Sequence, residues 1–173
     1  KSARARKINR MYFGSSWPLG HDNLAYARGG GVRGESGDAD GQLNRPSGIA
    51  FDKDDNLYIS DARNNRVQQF SKDGKFISIW GEKGSEEGQL NMPWGITIDK
   101  NGDVYVADWG NDRIQKFTAD GEFLMSFGNS VNGNGAARLR RPSGVDVDSV
   151  GDVYVADWGN NRVVQFDAGG RYL

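Results

Sequence analysis

The chain predicts an all-β propeller of four-stranded antiparallel blades, and three observations lead there. First, Pro46-Ser47-Gly48 returns as Pro93-Trp94-Gly95 and again as Pro142-Ser143-Gly144. Second, each is followed by a matching block: Leu57-Tyr58-Ile59-Ser60-Asp61, Val104-Tyr105-Val106-Ala107-Asp108 and Val153-Tyr154-Val155-Ala156-Asp157, at steps of 47 and then 49 residues. Third, apolar residues alternate in short runs and never sustain the i, i+3, i+4, i+7 spacing of a helix. A period of this size, built from short alternating strands, is the pattern of one blade per repeat, a WD40-like architecture.

Taken from the amino end, the first ten residues hold Lys1, Arg4, Arg6, Lys7 and Arg10 and no acid, so residues 1–27 read as a basic, solvated arm. Residues 11–173 are acidic, with 17 basic against 23 acidic residues. Residues 28–41 read as a partial blade, with 28–33 in the place of an outer strand. Gly34-Glu35, Gly37 and Gly41-Gln42-Leu43-Asn44 match Gly81-Glu82, Gly84 and Gly88-Gln89-Leu90-Asn91 at the 47-residue offset. Blades then follow over 42–88, 89–138 and 139–173.

The middle blade is the clearest. Its first strand is Gly95-Ile96-Thr97-Ile98-Asp99, Lys100-Asn101-Gly102 turns the chain, and Asp103 to Ala107 is the second strand. Asp108-Trp109-Gly110-Asn111 makes the next turn into a third strand, Arg113 to Phe117. Asp120-Gly121 signals a hairpin, predicted as type I′, into an outer strand from Glu122 to Phe127. In the last blade Arg171-Tyr172-Leu173 only begins the outer strand, so three to three and a half blades are present.

Composition narrows function by exclusion. The 25 glycines suit a turn-rich β protein. The absence of cysteine removes disulfides, iron-sulfur clusters and thiol nucleophiles. No apolar run reaches the roughly 18 residues of a membrane span. The chain begins without methionine and shows no leader, which reads as a processed or excised segment.

The candidate residues fall into four sets. The pairs Asp61 with Arg66, Asp108 with Arg113 and Asp157 with Arg162 are five apart across a tight turn and read as bidentate structural clamps. The acidic turns beginning at Asp52, Asp99 and Asp148 resemble calcium loops. Counted from Asp52, however, Leu57 and Arg63 stand where an EF-hand needs glycine and glutamate, so no cofactor is expected beyond a slight chance of calcium. Trp94, Trp109 and Trp158, with Asn111 and Asn160, are placed by the four-stranded topology on one loop face. Tryptophans on a common surface anchor protein–protein interfaces. Trp94 stands where the other repeats carry serine, so the architecture does not demand it, whereas Trp80 reads as packing. Arg138, Arg140 and Arg141 form a local basic cluster, but the acidic repeat region opposes the phosphate attraction that nucleic-acid binding requires. No Gly-x-Ser-x-Gly motif and no phosphate loop is present, and His21 is the single histidine.

The recurring Pro-x-Gly, Asp-x-x-Gly-Asp, Val-Tyr-Val-Ala-Asp and Gly-Asn-x-Arg-[Val/Ile]-x-x-Phe pattern resembles the NHL repeat over about residues 42–173. Val104 to Phe117 and Val153 to Phe166 match closely, and Leu57 to Phe70 departs with Ala62-Arg63 in place of Trp-Gly. The resemblance implies a propeller usually of six blades. Many NHL copies carry histidine where this chain has Asn65, Asp112 and Asn161. Some members are metal-dependent lyases and some bind single-stranded RNA. The expectation is a non-enzymatic protein-interaction scaffold, with an enzyme whose site lies in other blades, or an RNA binder, as alternatives. Resemblance to secreted bacterial propellers suggests an extracytoplasmic setting. Half a ring exposes unpaired edges. The chain therefore reads either as part of a longer protein or as one of two copies closing one ring, with 28–33 of one completing the third blade of the other.

Overall fold

The computed structural model describes residues 35–129 and 135–173. The expectations for residues 1–27, for the outer strand at 28–33 and for His21 lie outside them. Two short strands, β1 (Glu35–Ser36) and β2 (Gln42–Leu43), pair in parallel ahead of the first blade. That blade is β3 (Pro46–Phe51), β4 (Leu57–Asp61), β5 (Arg66–Phe70) and β6 (Phe76–Trp80), hydrogen-bonded in chain order. The second is β7 (Pro93–Ile98), β8 (Val104–Asp108), β9 (Arg113–Phe117) and β10 (Phe123–Phe127). The third contains β11 (Pro142–Val147), β12 (Val153–Asp157) and β13 (Arg162–Phe166). One bridge from Phe166 to Tyr172 starts its outer edge.

These strands form because each has a face to bury. In the second blade Val104, Val106 and Phe117 turn toward the first and meet its Tyr58 and Val67. Tyr105, Ala107 and Ile114 point the other way and meet Val153, Val155, Val164 and Phe166 of the third. Period-two alternation thus becomes two cores, one on each side of a single sheet.

The inner strands of neighbouring blades approach closely at Gly48 and Gly95. A Cβ on Gly95 would lie 2.7 Å from Gly144 Cα and 2.9 Å from Ser143 O. Ser47 Oγ donates across the same seam to Pro93 O at 2.7 Å.

One turn differs from expectation. Gly121 has φ +87° but Asp120 is not left-handed, so the hairpin is not type I′. Instead Gly121 N donates to Thr118 O and Thr118 N to Glu122 O, closing a longer turn in which only the glycine needs positive φ. Ser71–Lys75 and Asp167–Arg171 close in the same way through Gly74 and Gly170.

Candidate functional site

In each blade the second and third strands are joined by a single 3-10 turn: Ala62–Asn64, Trp109–Asn111 and Trp158–Asn160. Asn65, Asp112 and Asn161 close these turns at φ 56°, 56° and 53°. Short polar side chains tolerate that left-handed geometry best.

Beneath the middle turn sits the fully buried Asp108. Its Oδ2 accepts from Arg113 Nε at 2.8 Å, Asn111 Nδ2 at 2.8 Å and Gln115 Nε2 at 3.1 Å, and its Oδ1 from Asn91 N at 2.7 Å. Burial pushes this carboxyl up from its ordinary range, while the bonds from Asn111, Asn91 and Arg113 pull it back. Asp61 has the equivalent set in Arg66, Asn64, Gln68 and Asn44 N.

The clamp geometry departs from the bidentate form. Only Nε meets the aspartate, and the outer guanidinium nitrogens reach back to carbonyls of the incoming crossover. Arg113 Nη2 donates to Glu86 O at 2.7 Å and Gln89 O at 2.8 Å. Arg66 reaches Asp38 O, Ala39 O and Gln42 O. The third copy is thinner: Val164 stands where Gln68 and Gln115 donate, and the side chain of Arg162, paired with Asp157 at 2.7 Å, is 33% exposed.

The asparagines belong to this scaffold. Asn111 Nδ2 bridges Asp108 and Gly84 O, and Asn160 Nδ2 bridges Asp157 and Arg138 O. The turn aspartates are likewise engaged with backbone: Asp99 Oδ1 accepts from Asn101 N and Asp103 N, and Asp148 Oδ1 from Val150 N, Gly151 N and Asp152 N.

What remains outward is aromatic. Arg63 N bonds Asn44 O, Gly110 N bonds Asn91 O and Gly159 N bonds Arg140 O, so the 3-10 turns and the loops entering the inner strands form one surface. On it Trp94 stacks on Trp109 with ring centroids 5.7 Å apart and planes 20° from parallel. The Arg141 guanidinium lies 4.9 Å from the Trp109 ring centroid. Trp94 is 36% and Trp158 58% exposed. Trp158 belongs to the next blade and makes no ring contact among the described residues. Trp80, in contrast, packs on Phe117 at 4.7 Å.

Two contacts were not anticipated from the sequence. In the first two blades the left-handed residue closing the turn accepts the backbone N–H of the residue before the next blade's proline: Asn65 Oδ1 from Met92 N at 3.0 Å, Asp112 Oδ1 from Arg141 N at 2.7 Å. Arg45, Met92 and Arg141 themselves stand at φ 54°, 55° and 51°, a region such residues seldom occupy. The available signal was paired variation between repeats: Ala62 goes with Met92, and Trp109 with Arg141.

Four-stranded blades stacked face to face, each pinned by its own aspartate–arginine network, define a β-propeller repeat protein. The NHL repeat model matches residues 43–70, 90–117 and 139–166, one match per blade, and the chain belongs to the NHL-repeat family. Among curated relatives it is similar to Protein lin-41 of Caenorhabditis elegans, 51% identical over 45 residues, covering 26% of this chain and 4% of that protein. It is also similar to the E3 ubiquitin-protein ligase TRIM71 of Gallus gallus, 39% identical over 70 residues, covering 40% of this chain and 7% of that one. The chain thus spans only a small part of either relative. Both are animal proteins and lend no support to the bacterial expectation.

Solved structures share the fold. Virginiamycin B lyase from Staphylococcus aureus, solved with quinupristin, superposes with a TM-score of 0.56 at 19% identity, over 72% of this chain and 39% of the lyase. A Xanthomonas campestris gluconolactonase gives 0.58 at 18% identity, over 76% and 46%. At these identities the likeness establishes architecture alone.

Proposed function

We propose that the chain is a non-enzymatic interaction scaffold whose loop face receives another protein. The observation that carries this is the Trp94–Trp109 stack, backed by Arg141 and partly open to solvent. Preorganised tryptophans of this kind are the usual anchors of an interface, because a large rigid surface is desolvated at little entropic cost. Ser47 and Ser143 occupy the equivalent position in the other blades, so the fold has no need of an indole at 94. Trp158, Asn111 and Asn160 flank the platform, and Arg45, Arg63 and Arg140 are exposed on the same loops, which suits an acidic partner surface. The name of the TRIM71 relative, a ubiquitin-protein ligase, describes a protein that acts on proteins and agrees with this reading. The clamps Asp61–Arg66, Asp108–Arg113 and Asp157–Arg162 serve to hold the loops in place.

The test is Trp94→Ser, the residue its sister repeats already carry. Proteins cross-linked to wild-type and variant baits are quantified side by side, with a thermal melt of each bait. An unchanged melt with loss of a specific captured protein is the expected result. An identical capture profile would overturn the assignment of Trp94.

The exposed arginines favour a second reading, single-stranded RNA. Titration of a labelled oligouridine at low and moderate salt checks it. Binding that falls steeply with salt and disappears in Arg140→Ala would favour RNA over a protein partner.

A further inference from the structure

An exposed indole binds best when one orientation is already fixed before contact, because less side-chain freedom is then lost. Trp94 takes its orientation from Trp109, on which it stacks at 5.7 Å. Trp109 has no directional tether of its own. Its Nε1 is buried without a hydrogen-bond partner among the described residues, although a buried indole N–H usually finds one. Its ring contacts are face contacts, with Trp94 and with the Arg141 guanidinium 4.9 Å from the centroid.

That guanidinium forms no ion pair among the described residues, and Arg141 is exposed. What places it is its backbone. Arg141 stands at φ 51°, its N–H donates to Asp112 Oδ1 at 2.7 Å, and Pro142 behind it is buried. Trp109 and Asp112, at the two ends of one turn, thus work as a clip that grips Arg141 by its cation and by its N–H.

The first blade separates the two halves of this device. Asn65 Oδ1 holds Met92 N–H at 3.0 Å in the same way, but Ala62 stands in the place of Trp109 and Ser47 in that of Trp94. The backbone contact is therefore complete without any aromatic platform, and the stack of the second blade is built on top of it.

We infer that Asp112 is a positioning residue for the partner-binding face, a role that rests on Trp94 receiving a partner. By fixing the Arg141 backbone it keeps the cation over Trp109, where cation–π attraction operates, and through that ring it sets the orientation of Trp94. Asp112 itself touches no partner. Trp94 and Trp109 belong to the second blade and Arg141 to the third, so the platform is complete only where the two are docked.

The experiment labels the chain with fluorotryptophan and follows it by fluorine NMR, which needs no partner. Of the five tryptophans, Trp94 is the signal missing from Trp94→Ser, and Trp109→Ala gives its position without the stack. Asp112→Gly suits the left-handed backbone and removes the acceptor. It is expected to move the Trp94 signal most of the way to the unstacked position. Asp112→Asn, which copies Asn65 and Asn161, keeps an oxygen acceptor and should leave the signal in place. Arg141→Gly keeps the N–H and loses the cation, and should move the signal as Asp112→Gly does. The Trp80 signal, assigned with Trp80→Phe, reports general loosening and is expected to stay put, since Trp80 packs on Phe117.

The same variants are then used as baits for cross-linked capture. The protein lost with Trp94→Ser should be lost with Asp112→Gly and kept with Asp112→Asn. A Trp94 signal unmoved in Asp112→Gly, one moved equally in Asp112→Asn, or capture kept by Asp112→Gly where Trp94→Ser loses it would overturn the inference. A moved signal with capture intact even in Trp94→Ser would instead overturn the reading of the face and leave the positioning of the ring standing.

Discussion

Arg113 reaches Asp108 through Nε and two crossover carbonyls through Nη2, so one side chain ties together a turn, a strand and the loop leading in from the previous blade. Its side chain is 5% exposed, against 33% for Arg162. Arg113→Met should therefore cost about 3–5 kcal/mol, because it leaves a carboxylate buried without its counter-charge. Arg162→Met should cost clearly less, since water reaches that pair. Urea unfolding of both variants checks the order, and equal losses would contradict it. The pairs themselves were legible as residues five apart, repeated three times. Their true partners were not, because the carbonyls of Glu86 and Gln89 lie 27 and 24 residues upstream and are backbone atoms that no residue spacing points to.

At the scale of the strand, the seam between inner strands depends on which glycine faces what. A Cβ at Gly95 meets three backbone atoms of the third blade within 3.0 Å, and backbone cannot move aside as a flexible side chain can. At Gly144 the nearest atom is Ala156 Cβ at 3.5 Å, an ordinary contact. Gly95→Ala is expected to destabilise by about 1–3 kcal/mol, the usual range for overpacking. Gly144→Ala should stay within about 0.5 kcal/mol in the isolated chain. Thermal melts of the two variants separate the cases. Strand positions were readable because period-two alternation follows directly from burial on one face. The hairpin type was not, since Asp120-Gly121 fits both a type I′ turn and the longer turn that forms. Nor was the clip: it joins residues 29 apart, through a backbone conformation that the residue before a proline rarely takes.

For the molecule as a whole, burial is uneven along the arc. Tyr58 and Tyr105 are each 1% exposed and Tyr154 39%, so among the described residues the first two blades have a neighbour covering this face and the third does not. Opening free energies should follow that order. In dilute protein, amides of β8 and β9 are expected to exchange slowest and those of β12 and β13 several-fold faster, as hydrogen-exchange mass spectrometry would read directly. Uniform protection across the three sheets would contradict the gradient. The architecture was accessible from the repeat because each blade is one supersecondary unit that needs a neighbour to bury its faces. The arrangement of tryptophans was accessible only in part. Topology put Trp94 and Trp109 on one face, but their stacking depends on side-chain directions that spacing does not specify.

Asp112 accepting Arg141 N–H gives this arc a grain. The turns of the first two blades support the strained opening of the blade after them and take no such support in return, so the dependence between neighbours is not mutual. Asp112→Gly, which keeps the left-handed backbone comfortable and removes only the acceptor, should quicken exchange in β11 and β12 while leaving β3 to β6 as they were. Damage would then travel one way, toward the carboxyl end, like a ladder run in knitted cloth.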